Sequence, residues 1–251
     1  GELSMRSFLC VSPSWADASE AKRAMRDWLS FARGTGLGDD WLRVAGIFVG
    51  IEGDPTVARL CRDALPNTGW TGFVEWYNRL DDFREIAFLA AENDLRLNTI
   101  VKDRLPEILT ILEEVDRRYG IARKSWVIEH IGLIDDADFA RIKALGLSVT
   151  VIPGYMLWKN GEVYRPRIGD GENFVPLRTL LEEGIPTGAG TDNIPYNPFF
   201  TMWAMRKRQE RVSGDILGPG QQLTARQALR VMTLEGARVA RSEHRLGTIE
   251  V

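Results

Sequence analysis

Trp126-Val127-Ile128-Glu129-His130 and Ile185-Pro186-Thr187-Gly188-Ala189-Gly190-Thr191-Asp192-Asn193 decide the reading of this chain. Each is a short apolar run that ends in a group able to bind a metal or move a proton. Runs of this length, bounded by turn residues, read as buried strands. In a parallel α/β barrel the residues that end the strands point into the active-site mouth. A neutral imidazole and a carboxylate delivered there are donors suited to a catalytic divalent metal, or to activating a water.

Outward from these runs the pattern alternates. Downstream of His130, Asp135–Leu145 has helical spacing and a crowd of carboxylates at its start, as the helix dipole favours, and Gly146 closes it. Leu147–Ile152 is the next strand, stopped by Pro153-Gly154. Upstream, Leu95–Val101 reads as a strand and Leu105–Tyr119 as a helix, with Pro106 in its first turn and Gly120 as its C-cap. Arg6–Val11 and Leu42–Val49 are strands. Between them Asp17–Ala32 carries a helical stripe (Ala21, Met25, Trp28, Leu29) that Gly34 and Gly36 can stop. Asp54–Gly72 reads as a loop with one short helix, and Asp82–Asn93 as a helix. Tyr155–Asn173 is a long polar loop on the face where barrel active-site loops lie. Val175–Glu183 is a helix and Pro186–Ala189 a short strand. Pro198–Val212 and Thr224–Arg241 are helices, separated by Leu217-Gly218-Pro219-Gly220, and Thr224 with Gln227 fits a capping box.

Repeated strand-helix units predict parallel strands joined by right-handed crossovers. The expected fold is α/β and TIM-barrel-like, incomplete, with about six βα units where a closed barrel needs eight. Neither a linker nor an internal repeat divides residues 1–251, so one domain is expected.

Bulk properties narrow the function. The chain has 251 residues, 44% hydrophobic and 27% charged, ordinary for a globular protein with a full core. A net charge of -3 excludes a broad nucleic-acid-binding surface. The basic cluster Arg206-Lys207-Arg208 with Arg211 reads as a solvated helix face. The two cysteines, Cys10 and Cys61, make no disulfide framework and fit a reducing, cytoplasmic setting. No apolar run approaches the ~20 residues of a membrane span. The N-terminus lacks the build of a signal peptide. A leading Gly1 points to processing or an expression scar.

Ile128-Glu129-His130-Ile131-Gly132, Gly146-Leu147-Ser148-Val149-Thr150-Val151-Ile152-Pro153 and Gly190-Thr191-Asp192-Asn193-Ile194-Pro195 together resemble the amidohydrolase superfamily. The resemblance is best to amidohydrolase family 3, the branch of N-substituted formamide deformylase-like proteins. Leu223–Leu229, Thr233–Ala240 and Leu246–Val251 resemble that family's last barrel helix and its return toward a small β-domain. The resemblance implies a distorted TIM barrel with one or two metals that hydrolyses mostly C–N bonds in amides, ureas, cyclic imides and formamides. It implies four site elements: an H-x-H pair, a Lys or Glu on a middle strand, later His residues and a final Asp. His130 would be the later metal-binding His, and Asp192 the final ligand and proton shuttle.

The sequence also departs from the pattern. It has no H-x-H, and its only histidines are His130 and His244. Ile100 stands where a His is expected, and the stretch Val44–Val49, with Phe48, is apolar where a Lys is expected. Lys102 lies two residues beyond the position matching Ile100. The chain begins where a third barrel strand would fall, so it is expected to be either a truncated piece or a diverged member. Ile100 and Phe48 are inside it, so truncation alone does not explain them.

Each candidate has a plainer alternative. His130 could be a hydrogen-bonded structural residue, and Asp192 a turn or N-cap carboxylate. Strand alternation turns Glu129 away from His130. His244 reads as a surface residue. Asp103 and Arg104 follow a strand and could line the mouth, although a helix start also explains Asp103. Tyr155, Trp158 and Tyr164 form either a substrate lid or a packed loop. Trp70, Trp76 and Tyr77 could line an apolar pocket. The expected function is hydrolysis of a carbon-nitrogen (non-peptide) bond in a small amide, formamide or cyclic imide by metal-activated water. Asp192 and His130 would be the catalytic and metal-binding residues, with Trp158, Tyr155 and Asp103 contacting substrate. A divalent metal, zinc first, is expected in the complete protein, and this chain alone is expected to hold none securely. The alternative is an impaired relative or fragment that binds a small ligand or assembles with a partner. A homo-oligomer or a missing N-terminal segment is expected in either case.

Overall fold

A computed structural model describes residues 5–11, 18–51, 78–101, 103–192 and 195–249. The Asp54–Gly72 expectation, Cys61, Trp70, Trp76, Tyr77, Lys102 and Asn193 lie outside the described residues. So do the side chains of Trp28 and Leu29.

Seven strands form one sheet: β1 (Ser7–Val11), β2 (Leu37–Gly38), β3 (Leu42–Gly50), β4 (Leu97–Ile100), β5 (Val127–Glu129), β6 (Ser148–Val151) and β7 (Thr187–Ala189). Their order is β1-β3-β4-β5-β6-β7, and every neighbouring pair in that path is parallel. The two-residue β2 pairs antiparallel with the first half of β3. No sequence signal anticipated it, because two residues carry no periodicity. The result is a curled half-barrel whose outer strands are β1 and β7, matching the expected incomplete barrel.

The register sorts the side chains onto two faces. Ile47, Leu97, Ile128, Val149 and Val151 lie on one face and join the main hydrophobic core. Helices supply the rest of that core: Phe83 and Ile86 from α2 (Leu80–Glu92), Ile108, Leu109 and Leu112 from α3 (Leu105–Tyr119), and Phe139 and Ile142 from α4 (Asp136–Ala144). Their spacing of three or four residues is what an amphipathic helix needs to seal one side of a sheet. Trp126 anchors the start of β5 by donating its indole N–H to the Leu95 carbonyl at 3.0 Å. Gly120 ends α3 in the left-handed conformation, φ 62°, as its C-cap role requires.

The opposite, more polar face mixes small and polar residues with the apolar Phe48 and Ile100. It carries Cys10 beside Gly46, Phe48 beside Asn98, and Glu129 beside Ile100. Gly188 lies on this face next to Thr150, and a Cβ there would meet Val239 and the Cα of Gly236. The C-terminal segment therefore leans on the polar face.

That segment departs from the single helix expected over Thr224–Arg241. It is α8 (Ala225–Arg230), a π-helical turn (Val231–Glu235) and α9 (Gly236–Val239), with the Thr224–Gln227 capping box in place. The helix expected to Val212 ends early: α7 spans Pro198–Lys207, and Arg208 turns the chain at φ 50°. Tyr155–Asn173 is not a plain loop, since a π-helical turn (Gly154–Lys159), α5 (Gly161–Tyr164) and a 3-10 turn (Arg165–Arg167) occupy it. One further correction concerns the basic cluster. Arg206 and Lys207 are exposed as expected, but Arg208 is wholly buried. Its guanidinium donates to the carbonyls of Val175 (2.9 Å), Phe174 (2.6 Å), Gly171 (3.5 Å) and Leu217. Among the described residues no helix is long and apolar enough to cross a membrane.

Candidate active site

Because the strands are parallel, all their C-terminal ends meet at one edge of the sheet. His130 leaves β5 there, and Asp192 lies three residues beyond β7. Two backbone bonds pin these exits on either side of β6. Ile131 N–H donates to the Thr150 carbonyl at 3.2 Å, and Gly190 N–H donates to the Val151 carbonyl at 2.8 Å. Strands two apart in a sheet put the two exits about 10 Å from each other.

Both residues have the same backbone conformation. His130 and Asp192 each sit at φ 56°, in the left-handed region. A non-glycine residue pays about 1 kcal/mol or more to stay there, and such residues cluster at functional sites. The turn at His130 also breaks strand alternation where the chain leaves the sheet. Both side chains are half-buried and both are engaged with neighbours.

Glu129 matters more than its sequence reading allowed. The register sets it on the polar face, beside Ile100 and in the same row as Gly50. Burial pushes its carboxyl up to about 7, while the Arg96 guanidinium pulls the other way. The available sequence signal was a carboxylate inside an otherwise apolar run. Nearby, the Asn98 amide donates to Cys10 Sγ at 2.9 Å and to the Ile47 carbonyl at 3.3 Å.

The substrate-contact candidates are placed as follows. Asp103, after β4, faces Arg167 at 4.0 Å, which ties the β4 exit to the segment after β6. Tyr155 lies under the Lys159 ammonium, 5.3 Å from the ring centre. Trp158 packs edge-on against Phe200 of α7 at 5.1 Å, and Phe200 stacks on Trp203 at 5.5 Å. Trp158 is thus braced by a helix. Tyr164 packs on Phe174 at 4.9 Å. Sequence reasoning missed Tyr196 and Phe199, which are 74% and 73% exposed shortly after Asp192. His244 is exposed, as expected.

The donor set was tested against a metal. A catalytic zinc takes three protein ligands and a water. Among the described residues no group of three or more His, Cys, Asp or Glu could hold a metal ion. Phe48 and Ile100, where the sequence pattern led us to look for Lys and His, lie on the same face as Glu129, but they bring no donor atom. The described residues therefore do not by themselves fit a complete metal centre.

Comparison with known proteins places this arrangement. A family model described as "Amidohydrolase family" matches residues 10–251. The N-substituted formamide deformylase of Arthrobacter pascens is 28% identical over 143 residues, covering 55% of this chain and 26% of that protein. Among solved structures, an uncharacterized metal-dependent hydrolase from Pyrococcus furiosus superposes with a TM-score of 0.70 at 22% identity, covering 99% of this chain and 48% of that one. An atrazine chlorohydrolase from Arthrobacter aurescens TC1, solved with zinc and atraton, gives 0.56 at 18% identity, covering 99% of this chain and 51% of that one. This chain spans about a quarter of the curated relative and about half of these solved relatives.

Proposed function

The chain belongs to the amidohydrolase family, and from that premise we propose that it is the part of a hydrolase that carries the later strand-end groups of the site. The reaction would be hydrolysis of a carbon-nitrogen bond in a small amide, formamide or cyclic imide. One observation carries this reading: His130 and Asp192 stand at the C-terminal exits of β5 and β7, at the same end of the parallel sheet. In that role Asp192 accepts a proton from the attacking water and returns it to the leaving nitrogen, as a general base and then a general acid. His130 presents its imidazole toward the substrate carbonyl oxygen, where developing charge needs a donor. Trp158 and Tyr155 wall the approach, and Asp103 holds the β4 exit in place through Arg167. A divalent metal, zinc first, belongs to the proposal for the complete protein. No step is routed through it here, because the described residues do not supply its ligands. A cytoplasmic setting is proposed with it, and the free thiol of Cys10 is compatible with that.

A second reading has its own support. Phe48 and Ile100 put apolar groups where the site would need donors, which favours a non-catalytic relative that binds a small ligand or completes an assembly. Metal content by plasma mass spectrometry, with turnover on an amide and formamide panel for the parent and Asp192→Asn, separates the two. An enzyme holds about one or more metals per chain and loses nearly all turnover in the variant. A protein that takes up no added zinc or manganese and turns nothing over has an incomplete site and favours a fragment or the non-catalytic reading, and turnover that survives Asp192→Asn unchanged removes the role given to Asp192.

A further inference from the structure

The start-of-strand end of the sheet, opposite His130 and Asp192, holds a small polar cavity of about 60 Å³. It lies where the chain enters β4 and β5. Arg96, Arg123, Lys124 and Arg241 line it, with Asp94 as its one carboxylate. Asp94 is committed to Lys124 at 2.7 Å. The three arginines have no such partner. Among the described residues neither Arg123 nor Arg241 makes an ion pair, and the Arg96 guanidinium donates to the backbone carbonyls of Ser125 (2.8 Å) and Val239. Some arginines elsewhere are matched with acids, as Arg141 is with Glu113 and Asp138, while others, such as Arg206 and Arg226, stand exposed without an ion pair among the described residues; what sets this group apart is that four cations converge on one cavity around the buried Arg96.

Arg96 is the telling member, because it is buried. Burial pushes its guanidinium down to about 10, and the Arg241 charge lowers it further, although Cys10 and Glu129 act in the opposite direction. Cations converging on a partly open cavity with a buried member are relieved most simply by an anion. A small tetrahedral oxyanion suits it best. Such an anion offers acceptors in several directions, and guanidinium forks bind two of its oxygens at once. The volume admits one such group and excludes an extended chain.

We propose that this cavity is a phosphate-class anion site, formed by Arg96, Arg123, Lys124 and Arg241 and separate from the strand-exit residues. Occupancy cross-links the turn after α1 (Ala18–Ala32), the entries to β4 and β5, and the turn after α9, so bound anion stabilises the half-barrel from its base.

The test uses inorganic phosphate at low salt, read by calorimetric titration and by thermal melting against sodium chloride of equal ionic strength. The expected result is one saturable site per chain and a melting point raised by phosphate beyond the chloride control. Arg96 is left intact because its removal could unfold the protein. The exposed pair is changed instead: Arg123→Gln with Arg241→Gln should weaken phosphate at least about tenfold. Arg206→Gln with Arg226→Gln, which removes an equal charge at exposed positions of α7 and α8, should change nothing. A phosphate effect no larger than chloride, or equal affinity in the double variant, overturns the proposal. O-phosphoserine in a parallel titration identifies the source. Binding as tight as phosphate assigns the site to a phosphate ester, and weaker binding assigns it to the free anion.

Discussion

Replacing Arg208, which turns the chain at the end of α7, should cost the protein several kcal/mol of stability. Burial pushes its guanidinium down to about 10, which still leaves it protonated at neutral pH. Of the four carbonyls it binds, those of Gly171 and Val175 also accept from the Phe174 and Leu177 N–H groups. The Phe174 and Leu217 carbonyls depend on Arg208. Arg208→Ala therefore leaves two buried carbonyls unpaired, at about 1 kcal/mol each, and opens a cavity worth a further 1–2 kcal/mol. The expected loss is about 3–4 kcal/mol, read as a shift of the urea midpoint at unchanged slope. Arg208→Met fills the stem volume without the donors and should recover the cavity part alone. Arg208→Lys keeps the charge but not the fork, so it should also fall short of the parent. If Arg208→Ala stays within about 1 kcal/mol of the parent, the clamp between the segment after β6 and the Leu217 turn is not what holds them together.

Other consequences are open to direct measurement. Arg141 grips both Glu113 oxygens, at 2.6 and 3.1 Å, and holds that carboxyl below its ordinary value. The stability this adds is present above the ordinary carboxylate range and lost as pH falls through the lowered value, so Glu113→Gln should flatten the acid limb of melting temperature against pH. In Gly46→Ala the new Cβ would meet the Arg96 carbonyl oxygen at 2.6 Å, so β3 must shift, and a loss of about 2 kcal/mol in chemical denaturation is expected. The β1 edge exposes Leu9, with Leu37, Trp41 and Leu42 near it, and proteins rarely leave such an edge bare. We propose that a second copy or another segment of the barrel covers it, and a monodisperse monomer in sizing with light scattering would refute the second copy.

Much of the fold was legible because its signals are local. Leu105–Tyr119 carries its own N-terminal Pro, its apolar stripe and its closing Gly120, and the structure reproduces those bounds. The six parallel strands were visible as short apolar runs between such helices. What escaped depends on distant contacts. Arg208 looks like its solvated neighbours until the chain from Gly171 to Val175 folds over it. The break at Val231–Glu235 interrupts a run whose composition is helical throughout. His130 and Asp192 could be nominated from their neighbours. Phe48 and Ile100 were legible as departures from the family pattern, but that Glu129 shares their face was not, because the three come together only through pairing between strands far apart in sequence.

The shared left-handed backbone of His130 and Asp192 bears on how such a chain would drift if selection on its chemistry were relaxed. At φ 56° most side chains are strained and Gly, Asn, Asp and His less so, although Val175, Arg208 and Arg241 show that this protein holds larger residues there where their surroundings demand it. Random substitution at these two positions is filtered by conformation before it is filtered by catalysis. The survivors are largely polar side chains that look like ligands. Ile100 and Phe48, in regular strand, carry no such filter and are free to become apolar. A site of this build would keep its imidazole and carboxylate longest, as fossils of geometry, after the neighbouring positions on β3 and β4 had changed.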